Sequence, residues 1–114
     1  MFSRRKSKYQ TFTDGWGESW EVQDRRLKRR KQDIIHYAEA TVGERRFWDA
    51  FAAGVSIQRA IRVPYESDVE QGDIFIIRGK QYEVAQKDLK TDKMPASWLL
   101  SLQSAEIVYR EAQE

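Results

Sequence analysis

Residues 72–84, GDIFIIRGKQYEV, decide the fold class of this chain. Residues 74–77 form a short apolar run, and the positions after Gly79 alternate between apolar and polar side chains, which is the period of a β-strand. Residues 78–80 between them predict a tight turn, because glycine accepts the backbone conformation that such turns require. The stretch therefore predicts a β-hairpin whose core side chains are Ile74, Ile76, Tyr82 and Val84.

The segments on either side of this hairpin repeat the strand pattern. Residues 56–65, SIQRAIRVPY, place Ile61 and Val63 on one face, and Pro64 is expected to end the strand because it donates no hydrogen bond. Residues 98–103, WLLSLQ, predict a last strand with two inward leucines. These core side chains are Leu100 and Leu102.

The first forty residues predict three more strands. Residues 8–23 indicate a hairpin with its turn at residues 14–17, DGWG, and residues 34–40, IIHYAEA, suit a half-buried strand. Residues 24–33 lie between them and contain RRLKRRK, in which six of seven side chains are basic. We expect a protruding basic loop there, and a flexible basic N-terminus at residues 1–7.

One helix is predicted in the middle of the chain. In residues 41–54, TVGERRFWDAFAAG, Thr41 and Glu44 have the spacing of a capping box, and Gly54 stands where helices commonly end. The helix is expected over residues 43–53, with an apolar stripe of the kind that faces a core. That stripe consists of Phe47, Ala50 and Phe51.

Together these elements predict a single domain over residues 1–114, with residues 104–114 as a C-terminal extension. The expected fold is β-rich, in the α+β class: a small antiparallel β-barrel or sandwich of about six strands with one short helix inserted mid-chain. No apolar run reaches the roughly 20 residues of a membrane span, and no signal peptide is recognisable. We therefore expect a protein made in the cytoplasm without a membrane partner.

Charge is distributed unevenly along the chain. Residues 1–31 hold ten Lys or Arg against four acidic residues, a net charge of +6, whereas residues 32–114 hold ten against fourteen, a net charge of −4. A basic end on an acidic body suits a polyanion or a neighbouring copy of the same chain. A charged surface that serves only solubility is the alternative.

No catalytic or cofactor-binding pattern is recognisable. His36 is the only histidine and cysteine is absent, so a zinc site is not expected, and no serine has a candidate base. The acidic residues between positions 66 and 73 lack the order of a calcium loop. We expect no enzyme, no cofactor and no metal.

Two tryptophans lie close to the basic run. Trp16 and Trp20 could stack on single-stranded nucleic acid, or Trp20 could be a core residue with Trp16 capping the hairpin. Trp48 lies on the side of the predicted helix opposite Ala50. Trp16 and Trp48 are therefore candidates for an oligomer interface.

The order of these pieces resembles the head–tail joining proteins of long-tailed bacteriophages, also called head-closure or stopper proteins. The resemblance covers roughly residues 9–103, and its motifs are loose patterns of turns and apolar residues. They are DGWGESW at 14–20, GERRFWDAFAAG at 43–54, IRV at 61–63, GDIFIIRGKQYEV at 72–84 and WLLSL at 98–102.

The resemblance implies a structural virion protein of the phage neck. Copies would form a six-fold or twelve-fold ring below the portal and adaptor proteins, close the DNA exit channel, and offer a surface to a tail protein or tail terminator. The basic run would meet packaged DNA non-specifically or a neighbouring subunit, through Arg25, Arg26, Lys28, Arg29, Arg30 and Lys31. The alternative is a small β-barrel module that binds nucleic acid through Lys, Arg and Trp.

Overall fold

The computed structural model describes residues 9–40, 57–105 and 108–111, and all regular structure in these ranges is β-strand. The predicted helix, with Phe47, Trp48, Ala50 and Phe51, lies outside the described residues, as do residues 1–7. The strands are β1 (Gly15–Gln23), β2 (Arg26–Glu39), β3 (Ile57–Pro64), β4 (Ile74–Ile77), β5 (Lys80–Lys90), β6 (Ser97–Ser104) and β7 (Arg110–Glu111).

The seven strands form one sheet in the order β1-β4-β5-β6-β3-β2-β7, and β1 also pairs with β2. Strands β1 to β6 therefore make a closed ring of antiparallel pairings, to which β7 adds in parallel alongside β2. The predicted β-rich class is confirmed. The ring closes most narrowly between β2 and β3, where the described register consists of Ala38 opposite Arg62 and Glu39 opposite Ile61.

The interior of the ring is filled by aliphatic and aromatic side chains from every strand except β1 and β7, together with Val69 from the loop before β4. The alternation of side chains along each strand explains this filling, because every second residue points inward. Of the side chains predicted in the core, Ile61, Val63, Tyr82, Val84, Leu100 and Leu102 are buried in this interior. The predicted inward face of β4 is wrong, because Phe75 and Ile77 fill the ring, whereas the buried Ile74 and the half-buried Ile76 belong to a second cluster.

A second apolar cluster lies apart from this interior and joins β1, β2 and β4. Trp20, Leu27 and Ile74 form its buried part, and Tyr109 packs against it. Gln81 holds the C-terminal segment there, since its side chain donates to the Tyr109 carbonyl and accepts from the Tyr109 amide, both at 2.8 Å. The predicted C-terminal extension thus runs back across the sheet as far as β7.

The predicted turn at residues 14–17 is wrong, because β1 begins at Gly15 and continues to Gln23. The glycines serve close packing instead of a turn. A Cβ at Gly15 would lie 2.5 Å from the Tyr37 hydroxyl, and one at Gly17 would lie 2.6 Å from the Ile76 carbonyl oxygen. Glycine within a strand is typical of such close approaches.

The predicted basic loop at residues 24–33 is also wrong, because β2 begins at Arg26. The true turn of the hairpin is Asp24–Arg25, where both residues have positive φ, 55° and 62°. The strand forms despite its charges because Leu27 is buried at its start and because several of its cations face carboxylates on neighbouring segments. Opposite charges across a strand pair stabilise the pairing.

Candidate functional site

The hairpin of β1 and β2, here called the ribbon, extends past the ring. Strand β1 pairs with β4 only from Glu18 to Trp20, so residues 21–23 have β2 as their only strand partner in the described structure. On the other edge of the ribbon, β7 pairs with Arg26 and Leu27. The end of the ribbon around the turn therefore extends past the ring of strands, with β7 beside it.

Three basic side chains in the middle of the ribbon are paired with glutamates of β1. Lys28 and Arg29 lie 3.9 and 3.2 Å from Glu21, and Arg30 lies 3.8 Å from Glu18. Half or more of each basic side chain is exposed. Such surface pairs contribute only about 0–1 kcal/mol, but each carboxylate reduces the positive charge that the ribbon offers to a partner.

Lys31 is an internal cation and does not face a partner. Its side chain is 10% exposed, and its ammonium group lies 2.7 Å from Asp73 and 3.4 Å from Asp68. Burial alone would lower the pKa of Lys31, but the hydrogen bond and charge of Asp73, with Asp68, raise it above its ordinary value. Lys31 thus anchors the ribbon to the loop before β4, and the expectation that it touches DNA or a neighbouring subunit has no support in its position.

The tip of the ribbon carries the cations that remain. Arg25 and Arg26 line a shallow cavity of about 280 Å³ with Asp24, Val108 and Arg110. Strand β7 places Arg110 directly opposite Arg26 in the register. Among the described residues, no carboxylate forms an ion pair with any of these three arginines. Asp24 is the single acidic side chain in the cavity lining, so the tip keeps a net positive charge.

Sequence reasoning missed Arg110, because nothing near position 110 indicates that it joins residues 25 and 26. The parallel pairing of β7 with β2 is a tertiary feature without a local signal.

The backbone at the tip is equally unexpected. Two-residue hairpin turns with positive φ favour Asn-Gly or Asp-Gly, and here Arg25 occupies the position that glycine usually fills. Such a conformation costs roughly 1–3 kcal/mol and commonly marks a functional position.

The two ribbon tryptophans have different environments. Trp20 is 9% exposed, and its indole N–H donates to Glu18 at 2.7 Å. It belongs to the second apolar cluster, so the two tryptophans do not form a stacking platform. Trp16 is 55% exposed and lies opposite His36 in the register, and Ile34, two positions before His36 on β2, is also exposed. It keeps its place as a candidate for an oligomer interface.

The described ranges offer neither a metal site nor a membrane-spanning helix. No group of three or more His, Cys, Asp or Glu side chains there could hold a metal ion. His36 is exposed on β2. Within those ranges, too, no helix is long and apolar enough to cross a membrane.

Comparison with known proteins adds no assignment: no family model, curated protein or solved structure matches this chain.

Proposed function

We propose that this chain is a structural protein of the phage neck, a head–tail connector or stopper without catalytic activity. Copies assemble into a ring below the portal and adaptor proteins, and the ring closes the DNA exit channel and presents the surface to which the tail attaches. The resemblance in the order of elements supports this proposal, and so does the ring of six strands, which we take as a small barrel. The protein is then part of the virion, at the head–tail interface.

The observation that carries the proposal is the unpaired positive charge at the ribbon tip. Arg25, Arg26 and Arg110 come together without a carboxylate partner in the described structure, at a point that extends past the ring of strands. Guanidinium groups contact DNA phosphates without reading base sequence, which is the contact a channel needs. In an assembled ring, the tips point towards the DNA.

The proposed ring of several copies follows from the small size of one domain. One domain of this length cannot surround duplex DNA, so a channel requires several copies joined by repeated side-to-side interfaces. The exposed Trp16 and Ile34 supply apolar surface for such an interface, and Trp48 stays a candidate for it. The copy number expected from the resemblance is six or twelve.

The test compares two triple variants that remove equal charge. Arg25→Gln, Arg26→Gln and Arg110→Gln neutralise the tip, and the control variant replaces Lys28, Arg29 and Arg30, which are paired with glutamates. In a phage that depends on this gene, filled heads carrying the tip variant should lose DNA or fail to join tails, while the control heads stay filled. Equal stability of both kinds of head would overturn the proposal.

The same tip also fits the second candidate, a small module that binds nucleic acid as a single chain. The salt dependence of DNA binding by the isolated chain distinguishes such a module from a connector subunit. As a module, the isolated chain binds DNA, with an affinity that falls steeply as the salt concentration rises. In the tip variant, the slope of the logarithm of affinity against the logarithm of salt concentration becomes shallower by about three. A connector subunit forms rings on a portal–adaptor complex, and its isolated chain binds DNA weakly.

A further inference from the structure

A second basic site lies at the opposite end of the ribbon from the tip. A cavity of about 330 Å³ opens there between the start of β1 and the turn that joins β4 to β5. Its cations are Arg59, Arg78 and Lys80. They come from β3 and from the β4–β5 turn, so only the folded ring brings them together.

Arg59 is held in one orientation by β2. Its Nη2 donates to Glu39 at 2.6 Å and to the Tyr37 hydroxyl at 2.9 Å, and its Nε donates to Glu39 at 3.2 Å. Tyr82 also forms a side-chain hydrogen bond with Arg59. Hydrogen bonding to Glu39 is the largest influence on the pKa of Arg59 and raises it, so the side chain stays charged. Gly15 completes this arrangement, because a Cβ there would collide with the Tyr37 hydroxyl.

The turn between β4 and β5 supplies two exposed cations beside this fixed one. Arg78 is exposed and has a positive φ of 50°, a conformation that non-glycine residues rarely adopt. Lys80 lies with its ammonium group 5.2 Å from the centre of the Tyr82 ring. Among the described residues, neither Arg78 nor Lys80 forms an ion pair with a carboxylate.

The charge of the site favours an anionic ligand. Three cations face two carboxylates, Glu39, which binds Arg59, and Asp14, which accepts the Glu39 amide N–H at 2.7 Å. The net charge of +1 matches an anion of charge −1. A phosphodiester has that charge, and Arg, Lys and Tyr are side chains that commonly contact phosphate and sugar.

We propose that this cavity binds one backbone phosphate of a nucleic acid strand. The Arg59 guanidinium, fixed by Glu39 and Tyr37, faces the phosphate, and Arg78 and Lys80 close over it from the turn. The cavity has room for one phosphate with its sugar, which limits the contact to the backbone. This site stands apart from the neck proposal, since it requires neither a ring of copies nor the ribbon tip.

The experiment uses the tip variant (Arg25→Gln, Arg26→Gln, Arg110→Gln) as its background, so that the tip contributes no binding. A thymidylate tetramer, dimethyl phosphate, acetate and hexaglutamate are titrated separately while the NMR signals of the Gly79 amide and the Arg59 Nε–H are followed. We expect the tetramer and dimethyl phosphate to shift these signals with saturation, and acetate to leave them unchanged at equal ionic strength.

Two further variants in that background test the residues. Arg78→Gln with Lys80→Gln should weaken tetramer binding about tenfold, because two charge-assisted contacts are lost. Arg29→Gln with Arg30→Gln removes the same charge elsewhere and should change it less than about twofold. Tyr37→Phe should weaken binding with the strand content unchanged, since Arg59 loses one of the hydrogen bonds that orient it.

Three outcomes would overturn the proposal. The first is absence of saturation at millimolar tetramer, and the second is an equal effect of the two double variants, which would mean unspecific attraction. The third is tighter binding of hexaglutamate than of the tetramer, which would make the cavity a site for an acidic protein segment. None of these outcomes bears on DNA retention in phage heads, so the neck proposal is judged separately.

Discussion

Replacement of Lys31 by methionine tests whether the basic run belongs to the sheet. Methionine keeps most of the apolar stem of lysine but removes the ammonium group that lies 2.7 Å from Asp73. The Asp73 carboxyl group, 11% exposed, is then left with one remaining hydrogen bond, from the Glu70 amide at 2.8 Å. The variant therefore leaves a nearly buried carboxylate without its counter-ion.

Removal of one partner from a buried ion pair costs about 3–5 kcal/mol. About a tenth of each side chain stays exposed here, and the Glu70 amide still contacts Asp73. We therefore expect a loss of about 2–3 kcal/mol in the free energy of unfolding, just below that range. Urea denaturation followed by tryptophan fluorescence should show a lower midpoint with an unchanged slope.

Lys28→Met is the matched control, because it makes the same substitution three positions earlier. Lys28 is 50% exposed and lies 3.9 Å from Glu21, so its loss should change stability by less than about 0.5 kcal/mol. Adding Asp73→Asn to Lys31→Met should recover part of the lost stability, since the orphaned charge is gone. If both lysine variants lie within 0.5 kcal/mol of the parent protein, residues 25–31 form a solvated loop and the description of β2 as a strand fails.

Three other perturbations follow from the geometry. Gly17→Ala should destabilise the fold by about 1–3 kcal/mol in the same urea assay, because its Cβ meets a backbone carbonyl of β4; a loss below 0.5 kcal/mol would contradict that close packing. Asp24→Asn with Arg25→Gly should stabilise the hairpin by about 1–2 kcal/mol, since Asn-Gly suits its turn, and a lower melting temperature would refute the strained backbone. The hydrogen bonds from Arg62 lower the pKa of Asp92, so its contribution is complete above its ordinary pKa and is lost as pH falls through the lowered one. Below about pH 4 the parent should therefore lose more stability than Asp92→Asn, and parallel pH profiles would count against the pair.

Local patterns predicted the positions of the strands in the later half of the fold, although the face that β4 turns to the ring interior was predicted wrongly. The hairpin of β4 and β5 appears where the alternation and Gly79 place it, and Gly79 has a φ of 79°. The strand that ends at Pro64 and the last leucine-rich strand are also where they were expected. In each case the decisive information is the order of neighbouring residues, so the sequence alone contains it.

The N-terminal half shows where such patterns fail. Gly15 and Gly17 beside an aspartate are typical of a turn, and only the positions of Tyr37 and Ile76 reveal that both glycines make room within a strand. A run of basic residues is typical of a loop, and only the carboxylates of distant segments make it a strand.

Both candidate sites combine segments that are far apart in the sequence. Position 110 joins positions 25 and 26 at the tip. The cavity proposed to bind phosphate brings β3 together with the β4–β5 turn. No spacing pattern in the sequence predicts that these distant segments lie side by side. Sequence reasoning therefore found the basic run but neither complete site.

The narrow closure between β2 and β3 gives Arg59 a further importance. The described backbone register there is only two residue pairs long, and the side chain of Arg59 bridges from β3 to Glu39 and Tyr37 of β2. An anion bound to that guanidinium would hold the junction shut, because the cavity exists only while the two strands stay together. Occupancy and mechanical integrity of the domain are thereby coupled, and a ligand should raise the melting temperature in proportion to the logarithm of its concentration.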